Sequence, residues 1–133
     1  MNRQAINIVW LKRDIRSQDH EPLLKAEHAG IPYRIIYIFE PTLIKYPDTS
    51  LRHLQFIYHS IVALNKALAP FNRNVTVFYG EAVNVFKHLK ESFDIRGLFS
   101  FRESGTQRTW QRDKQVRSFC KQHHIKWQES QRD

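Results

Sequence analysis

Short apolar runs rich in β-branched residues alternate with segments of helical periodicity along the whole chain, and that alternation narrows the fold more than any other feature. Ala5 to Leu11 (AINIVWL) is nearly continuous in its apolar character, as a strand buried on both faces requires. Tyr33 to Phe39 (YRIIYIF) and Val75 to Tyr79 (VTVFY) repeat the pattern, closed by Glu40-Pro41 and Gly80 respectively. Leu98 to Phe101, opened by Gly97, reads as a fourth strand, and Ile125 to Trp127 as a short fifth before a polar tail, Gln128 to Asp133.

Between these runs lie the helices. Glu21 to Ala29 places Leu23, Leu24 and Ala26 at helical spacing, with Pro22 in the first turn and Gly30 as the stop. After a polar loop holding Pro47, Asp48, Thr49 and Ser50, the residues Leu54, Ile57, Ile61, Leu64 and Leu68 recur every three or four positions. Arg52, Gln55, His59 and Lys66 fall away from that stripe, and Pro70 ends it. Val83, Phe86, Leu89 and Phe93 mark another amphipathic helix. The polar stretch from Thr106 to His124 offers Trp110, Val116, Phe119 and Cys120 as its inward candidates.

Strictly alternating strands and helices predict an α/β fold: a three-layer, doubly wound, Rossmann-like domain on a five-stranded parallel sheet of order 3-2-1-4-5. A chain of 133 residues holds one such domain, over 1–133. Ligands of open parallel sheets bind beyond the carboxyl ends of the strands, where the strand order reverses. That edge gathers the loops Lys12 to Asp19, Glu40 to Ser50, Gly80 with Glu81, and Arg102 to Arg108. The switch point falls between the first and fourth strands, at Lys12-Arg13-Asp14 and Arg102-Glu103.

Composition removes several classes. With 41% apolar and 13% aromatic residues the chain can bury a core, which excludes intrinsic disorder. The longest apolar run, Ile35 to Phe39, is far short of the roughly 20 residues of a membrane helix. A single cysteine, Cys120, excludes a disulfide framework and, beside Val116 and Phe119, reads as core. The start, Met-Asn-Arg-Gln, lacks the order of a signal peptide, so the expected localisation is cytoplasmic. Net charge is +8, distributed as +1 over residues 1–50, +3 over 51–100 and +4 over 101–133. Such a field favours an anionic partner without choosing among nucleic acid, a phosphate-bearing cofactor and an acidic surface.

Neither G-x-G-x-x-G nor G-x-x-x-x-G-K-S/T occurs, so a standard dinucleotide or P-loop site is not expected. No metal site is expected either, because His53 and His59 are six apart and His123-His124 are adjacent near the chain end. Asn74-Val75-Thr76 is a formal glycosylation sequon inside a strand signal and reads as chance. The three tryptophans, Trp10, Trp110 and Trp127, read as core or edge packing. Lys12, Arg13, Asp14 and Arg16 form a mixed-charge loop that suits either an anionic group or an adjacent domain.

Five segments in order resemble one family. Trp10 to Leu23 (WLKRDIRSQDHEPL) resembles the W-x-R-R-D-L-R-x-x-D-N-x-A-L opening of the DNA photolyase and cryptochrome family. Glu40-Pro41 is similar to that family's D-P, Arg52 to Phe56 to its R-x-x-F-L helix start, and Tyr79-Gly80-Glu81 to its x-G-D/E turn. Phe101 to Val116 (FRESGTQRTWQRDKQV) is similar to its fourth-strand loop and next helix, with Arg112-Asp113 at the R-D position.

The resemblance implies the N-terminal α/β antenna domain of a flavoprotein, the helical FAD-binding domain being absent from this chain. The fragment alone is expected to be non-catalytic. The whole protein would split cyclobutane pyrimidine dimers by light-driven electron transfer from FAD, with DNA as partner and the helical domain packed on this one; the alternatives are a cryptochrome-type blue-light sensor and a free-standing nucleotide-binding α/β protein. The resemblance also implies a second chromophore. Methenyl-folate fits less well, because the acidic position four before Asp113 is Thr109. For a deazaflavin or flavin the implied cofactor-binding residues are Lys12, Tyr37, Glu40, Arg52 and Glu103, with Glu103 accepting from the ring and Arg52 or Lys12 meeting a phosphate. Arg13, Asp14 and Arg16 are assigned to loop organisation and the domain interface. Arg108, Arg112, Lys114, Arg117 and Lys121 read as a solvated helix face.

Overall fold

The computed structural model describes residues 3–44, 51–103 and 105–131. Five strands, β1 (Gln4–Leu11), β2 (Tyr33–Phe39), β3 (Val75–Tyr79), β4 (Phe93–Phe101) and β5 (Lys126–Ser130), form one sheet of order β3-β2-β1-β4-β5. Every pairing is parallel, as the alternation predicts. The helices are α1 (Glu21–His28), α2 (Pro41–Ile44), α3 (Leu51–Leu68), α4 (Ala82–Ser92) and α5 (Gln107–Gln122).

The layers follow from strand periodicity. Val9, Leu11, Ile35 and Tyr37 point to one side, where Ala26 of α1 and the Ile57, Ile61, Leu64 and Leu68 stripe of α3 cover them. Ile6, Ile8, Trp10, Ile36 and Ile38 point to the other and meet Val85, Phe86 and Leu89 of α4 and Val116, Phe119 and Cys120 of α5. Central strand β1 is therefore apolar on both faces. Burial raises the Cys120 thiol to about 11.

Boundaries differ from the sequence reading in three places, and burial differs at Trp110. The fourth strand begins at Phe93, not Leu98: Phe93 takes extended angles (φ −131°, ψ 152°) and caps α4 instead of continuing it. Asp94 and Arg96 hid this strand because they are polar, and Arg96 is an extra residue, since Ile6 lies opposite Ile95 and Asn7 opposite Gly97. The fifth strand spans Lys126–Ser130, an edge strand whose polar residues pair with β4 through backbone alone. Pro41–Ile44 forms a single helical turn that carried no periodic signal, its Leu43 and Ile44 amides bonding the Glu40 carbonyl at 3.0 and 2.9 Å. Trp110, expected inside, is 58% exposed. The loop residues Pro47, Asp48, Thr49 and Ser50 and the end of the tail, Arg132 and Asp133, lie outside the described residues.

Candidate functional site

At the carboxyl edge of the sheet the strand periodicity carries polar residues onto an apolar floor. Trp10 and Lys12 of the β1 end share the α4/α5 side. Trp10 is buried edge-on against Phe86 at 5.2 Å and beside Trp127 at 5.9 Å. Lys12 Nζ lies 4.4 Å from the Trp10 ring centroid and 3.6 Å from Asp113 Oδ1. It has no hydrogen-bond partner among the described residues. Burial lowers its pKa, and the Asp113 carboxylate works against that shift.

Arg112 is the hub. From the second turn of α5 its guanidinium donates to Glu40 Oε2 at the end of β2 (2.7 Å), to Glu103 Oε1 beyond β4, and to Asp113 Oδ1 (2.9 Å). Its Cζ sits 4.8 Å from the Trp10 ring centroid. Two buried cations, Lys12 and Arg112, thus face three carboxylates, Glu40, Glu103 and Asp113. Glu40 is the most deeply buried of the three. Burial raises its pKa to about 7, with Glu103 and Glu81 adding and Arg112 opposing. Its Oε1 is buried with no hydrogen-bond partner among the described residues. Burial, aided by Glu40 and Glu103, raises the Tyr37 phenol to about 12, so it stays protonated. Burial opposes the charge on Arg112, but its three carboxylates outweigh this and its pKa is raised.

The loop after β1 is held from within. Asp14 is buried; Oδ1 accepts the Lys12 amide at 3.2 Å and Oδ2 pairs with His20 Nε2. His20 Nδ1 accepts the Leu23 amide at 3.1 Å, making His20 the N-cap of α1. Burial works to raise the Asp14 pKa, and the His20 and Lys12 bonds overcome it and hold the carboxyl below its usual range. Arg16 closes the loop onto the Gln18 and Asp19 carbonyls at 3.0 and 3.2 Å. Arg13 pairs with Glu103 Oε2 at 3.1 Å but is 61% exposed, at the rim.

Above this network opens a cleft of about 670 Å³, a volume typical of small-molecule sites. One wall is apolar and aromatic, built by Tyr37, Phe39, Leu54, Phe56 and Ile57; the opposite wall comes from Thr106, Arg108 and Thr109 at the start of α5. Among the described residues no three His, Cys, Asp or Glu come together as metal donors. No described helix is long and apolar enough to cross a membrane.

Of the residues singled out in the sequence, Lys12, Tyr37, Glu40 and Glu103 line this one cleft, as do Arg13, Asp14 and Arg16. Arg52 is exposed on the first turn of α3 and is not among the lining residues; its neighbours His53 and Leu54 are. Glu103 already binds Arg112 and Arg13, one with each oxygen. Sequence reasoning missed Arg112, counted among solvated cations although it is buried; Arg108, Lys114, Arg117 and Lys121 are exposed as expected. Its signal was present, since Asp113 beside it and Val116 four positions on share the inward face of α5.

The family model for DNA photolyase matches residues 7–133. Cryptochrome-1 of Aedes aegypti is 26% identical over 127 residues, covering 90% of this chain and 23% of its own length. Cryptochrome DASH of Synechocystis is 24% identical over 101 residues, 72% of this chain and 21% of that protein. The chain thus spans less than a quarter of the curated relatives it matches. In fold it superposes on the archaeal photolyase of Sulfolobus tokodaii, crystallised with two FAD molecules, at a TM-score of 0.84 and 24% identity, over 95% of this chain and 29% of that one. The Synechocystis cryptochrome superposes at 0.85 and 20% identity, over 96% and 27%. With the family model spanning β1 to β5 and the sheet order that of these structures, the chain belongs to the DNA photolyase family.

Proposed function

We propose that this chain is the α/β domain of a photolyase- or cryptochrome-type flavoprotein and that its cleft holds a light-harvesting chromophore of the flavin or deazaflavin class. The observation that carries this reading is the cleft itself. It lies at the switch point, offers a planar ring an aromatic and apolar wall, and stands on an ion-paired floor in which Lys12 Nζ and Glu40 Oε1 keep hydrogen-bonding capacity unspent among the described residues. A ring needs such a wall to leave water, and unspent polar atoms at its edge can fix its orientation. The Sulfolobus relative's two FAD molecules, with their stated implication of a light-harvesting cofactor, support the same assignment. Folate suits the site less, because the Thr109 hydroxyl is spent on the Thr106 carbonyl at 2.8 Å and offers no carboxylate.

In the full-length protein a helical domain would carry FAD and pack on this one, and DNA repair by light-driven electron transfer would be its activity. Blue-light sensing is the second reading, favoured by the cryptochromes among the curated relatives.

Titrating FMN, FAD and a 5-deazaflavin into the chain, read by fluorescence anisotropy, tests the cleft. Micromolar binding is expected for at least one, and Leu54→Trp, which fills the cleft from α3, weakens it more than tenfold with the circular dichroism unchanged. Absence of binding by all three, or binding indifferent to Leu54→Trp, overturns the reading.

A further inference from the structure

The outward face of α5 carries cations, amides and one bare aromatic, and no acid. Asp113, the sole acidic residue of the helix, is turned inward onto Lys12 and Arg112. Trp110, Lys114, Arg117 and Lys121 follow at intervals of four, three and four, forming one straight stripe about 16 Å long. All four are exposed. Lys114 Nζ sits 5.4 Å from the Trp110 ring centroid, and Arg117 is steadied by Glu129 Oε1 at 3.3 Å and by the Trp127 ring at 4.6 Å. The positive field extends to α4: partial burial and the nearby Lys90, His124 and Lys87 keep the His123 imidazole below its ordinary pKa.

An exposed indole beside a cationic row presents a π-face and phosphate-binding groups at once. We propose that this stripe binds single-stranded nucleic acid, phosphates meeting Lys114, Arg117 and Lys121 while an unstacked base lies on Trp110. Charge complementarity selects an anionic polymer, and the bare ring selects one with free bases, because duplex bases are already stacked on one another. An acidic peptide satisfies the cations but brings no base to stack on the exposed indole. The face lies outside the cleft, so the inference stands apart from the chromophore reading.

The test titrates a 15-nucleotide oligo(dT) into the 133-residue chain and follows tryptophan emission, to which Trp110 gives the solvent-exposed signal. Saturable quenching is expected, with log K falling against log salt at a slope of about −2, as three phosphates at about 0.7 each require. Trp110→Ala abolishes the quench and, followed by anisotropy of a labelled oligonucleotide, weakens binding at least fivefold. The triple variant Lys114→Gln, Arg117→Gln, Lys121→Gln weakens it at least tenfold and flattens the slope. These side chains are exposed, so circular dichroism should be unchanged. No binding, binding untouched by Trp110→Ala, duplex bound as tightly as single strand, or poly-glutamate competing equally would each overturn the proposal.

Discussion

Arg112 donates to Glu40 Oε2 at 2.7 Å across 72 positions of sequence, tying the end of β2 to helix α5 over the carboxyl end of β1. The same guanidinium reaches Glu103 beyond β4, so one side chain spans both sides of the switch point. Removing it strips Glu40 of its buried cation and leaves Asp113 to Lys12 and Glu103 to Arg13 at the rim. Arg112→Ala should therefore destabilise the fold by about 3–5 kcal/mol, the usual cost of breaking a buried ionic cluster from one side. Arg112→Lys keeps the charge but loses the fork, and should fall between. Urea denaturation distinguishes these; a loss under about 1 kcal/mol for Arg112→Ala shows that the network does not hold the edge together.

Glu40 gives a pH dependence of defined sign. Its pKa rises from 4.5 to about 7 on folding, so the folded state binds the extra proton between these values. The associated stability is complete below pH 4.5 and is lost as pH rises through 7, by about 3 kcal/mol at most. Glu40→Gln supplies a permanently neutral side chain whose amide oxygen can still accept from Arg112. The variant should show a flatter stability profile from pH 5 to 8 and unfold at higher urea than the parent at pH 8. An unchanged profile shows that Glu40 does not take up the proton on folding.

The strands and helices were legible in the sequence wherever burial dictated the pattern. The apolar runs of β1 and β2 and the Ile57–Leu68 stripe of α3 follow burial, whereas β3 was read from its β-branched and aromatic run although Val77 and Tyr79 are exposed on this edge strand. β4 and β5 were truncated because their missing residues, Asp94 and Arg96 in one and Gln128 and Glu129 in the other, are polar and pair through backbone that any sequence provides. Within the site, Lys12, Glu40 and Glu103 were found because topology puts strand ends at one edge. Arg112 was not, because a helical cation reads as solvated until the carboxylates that desolvate it are known to converge from β2 and β4.

Gly97 lies within β4, opposite Asn7, and a Cβ there would stand 2.8 Å from Asn7 Oδ1. Asn7 is buried, so its amide has little room to withdraw. Gly97→Ala should cost about 1–3 kcal/mol, as overpacking does. Adding Asn7→Ala removes the obstructing atom, and the double variant should regain most of that loss when thermal unfolding is compared. If Gly97→Ala is equally harmful with and without Asn7, the close approach is not its cause.

Asp14 and His20 form the last coupled pair. His20 Nδ1 accepts the Leu23 amide, which fixes the ring proton on Nε2, where it is donated to Asp14 Oδ2. A single imidazole thus caps α1 and anchors the loop that opens the cleft. Because the Asp14 pKa is lowered from 3.8, its contribution is present above that value and is lost as pH falls through the folded pKa beneath it. Asp14→Ala and His20→Ala should each cost about 2–3 kcal/mol at pH 7, through the buried partner each leaves unsatisfied. The double variant should lose about 1–2 kcal/mol less than the two losses added, the signature of a shared bond. Strict additivity would show that the two side chains support the loop separately and that the cap does not depend on Asp14.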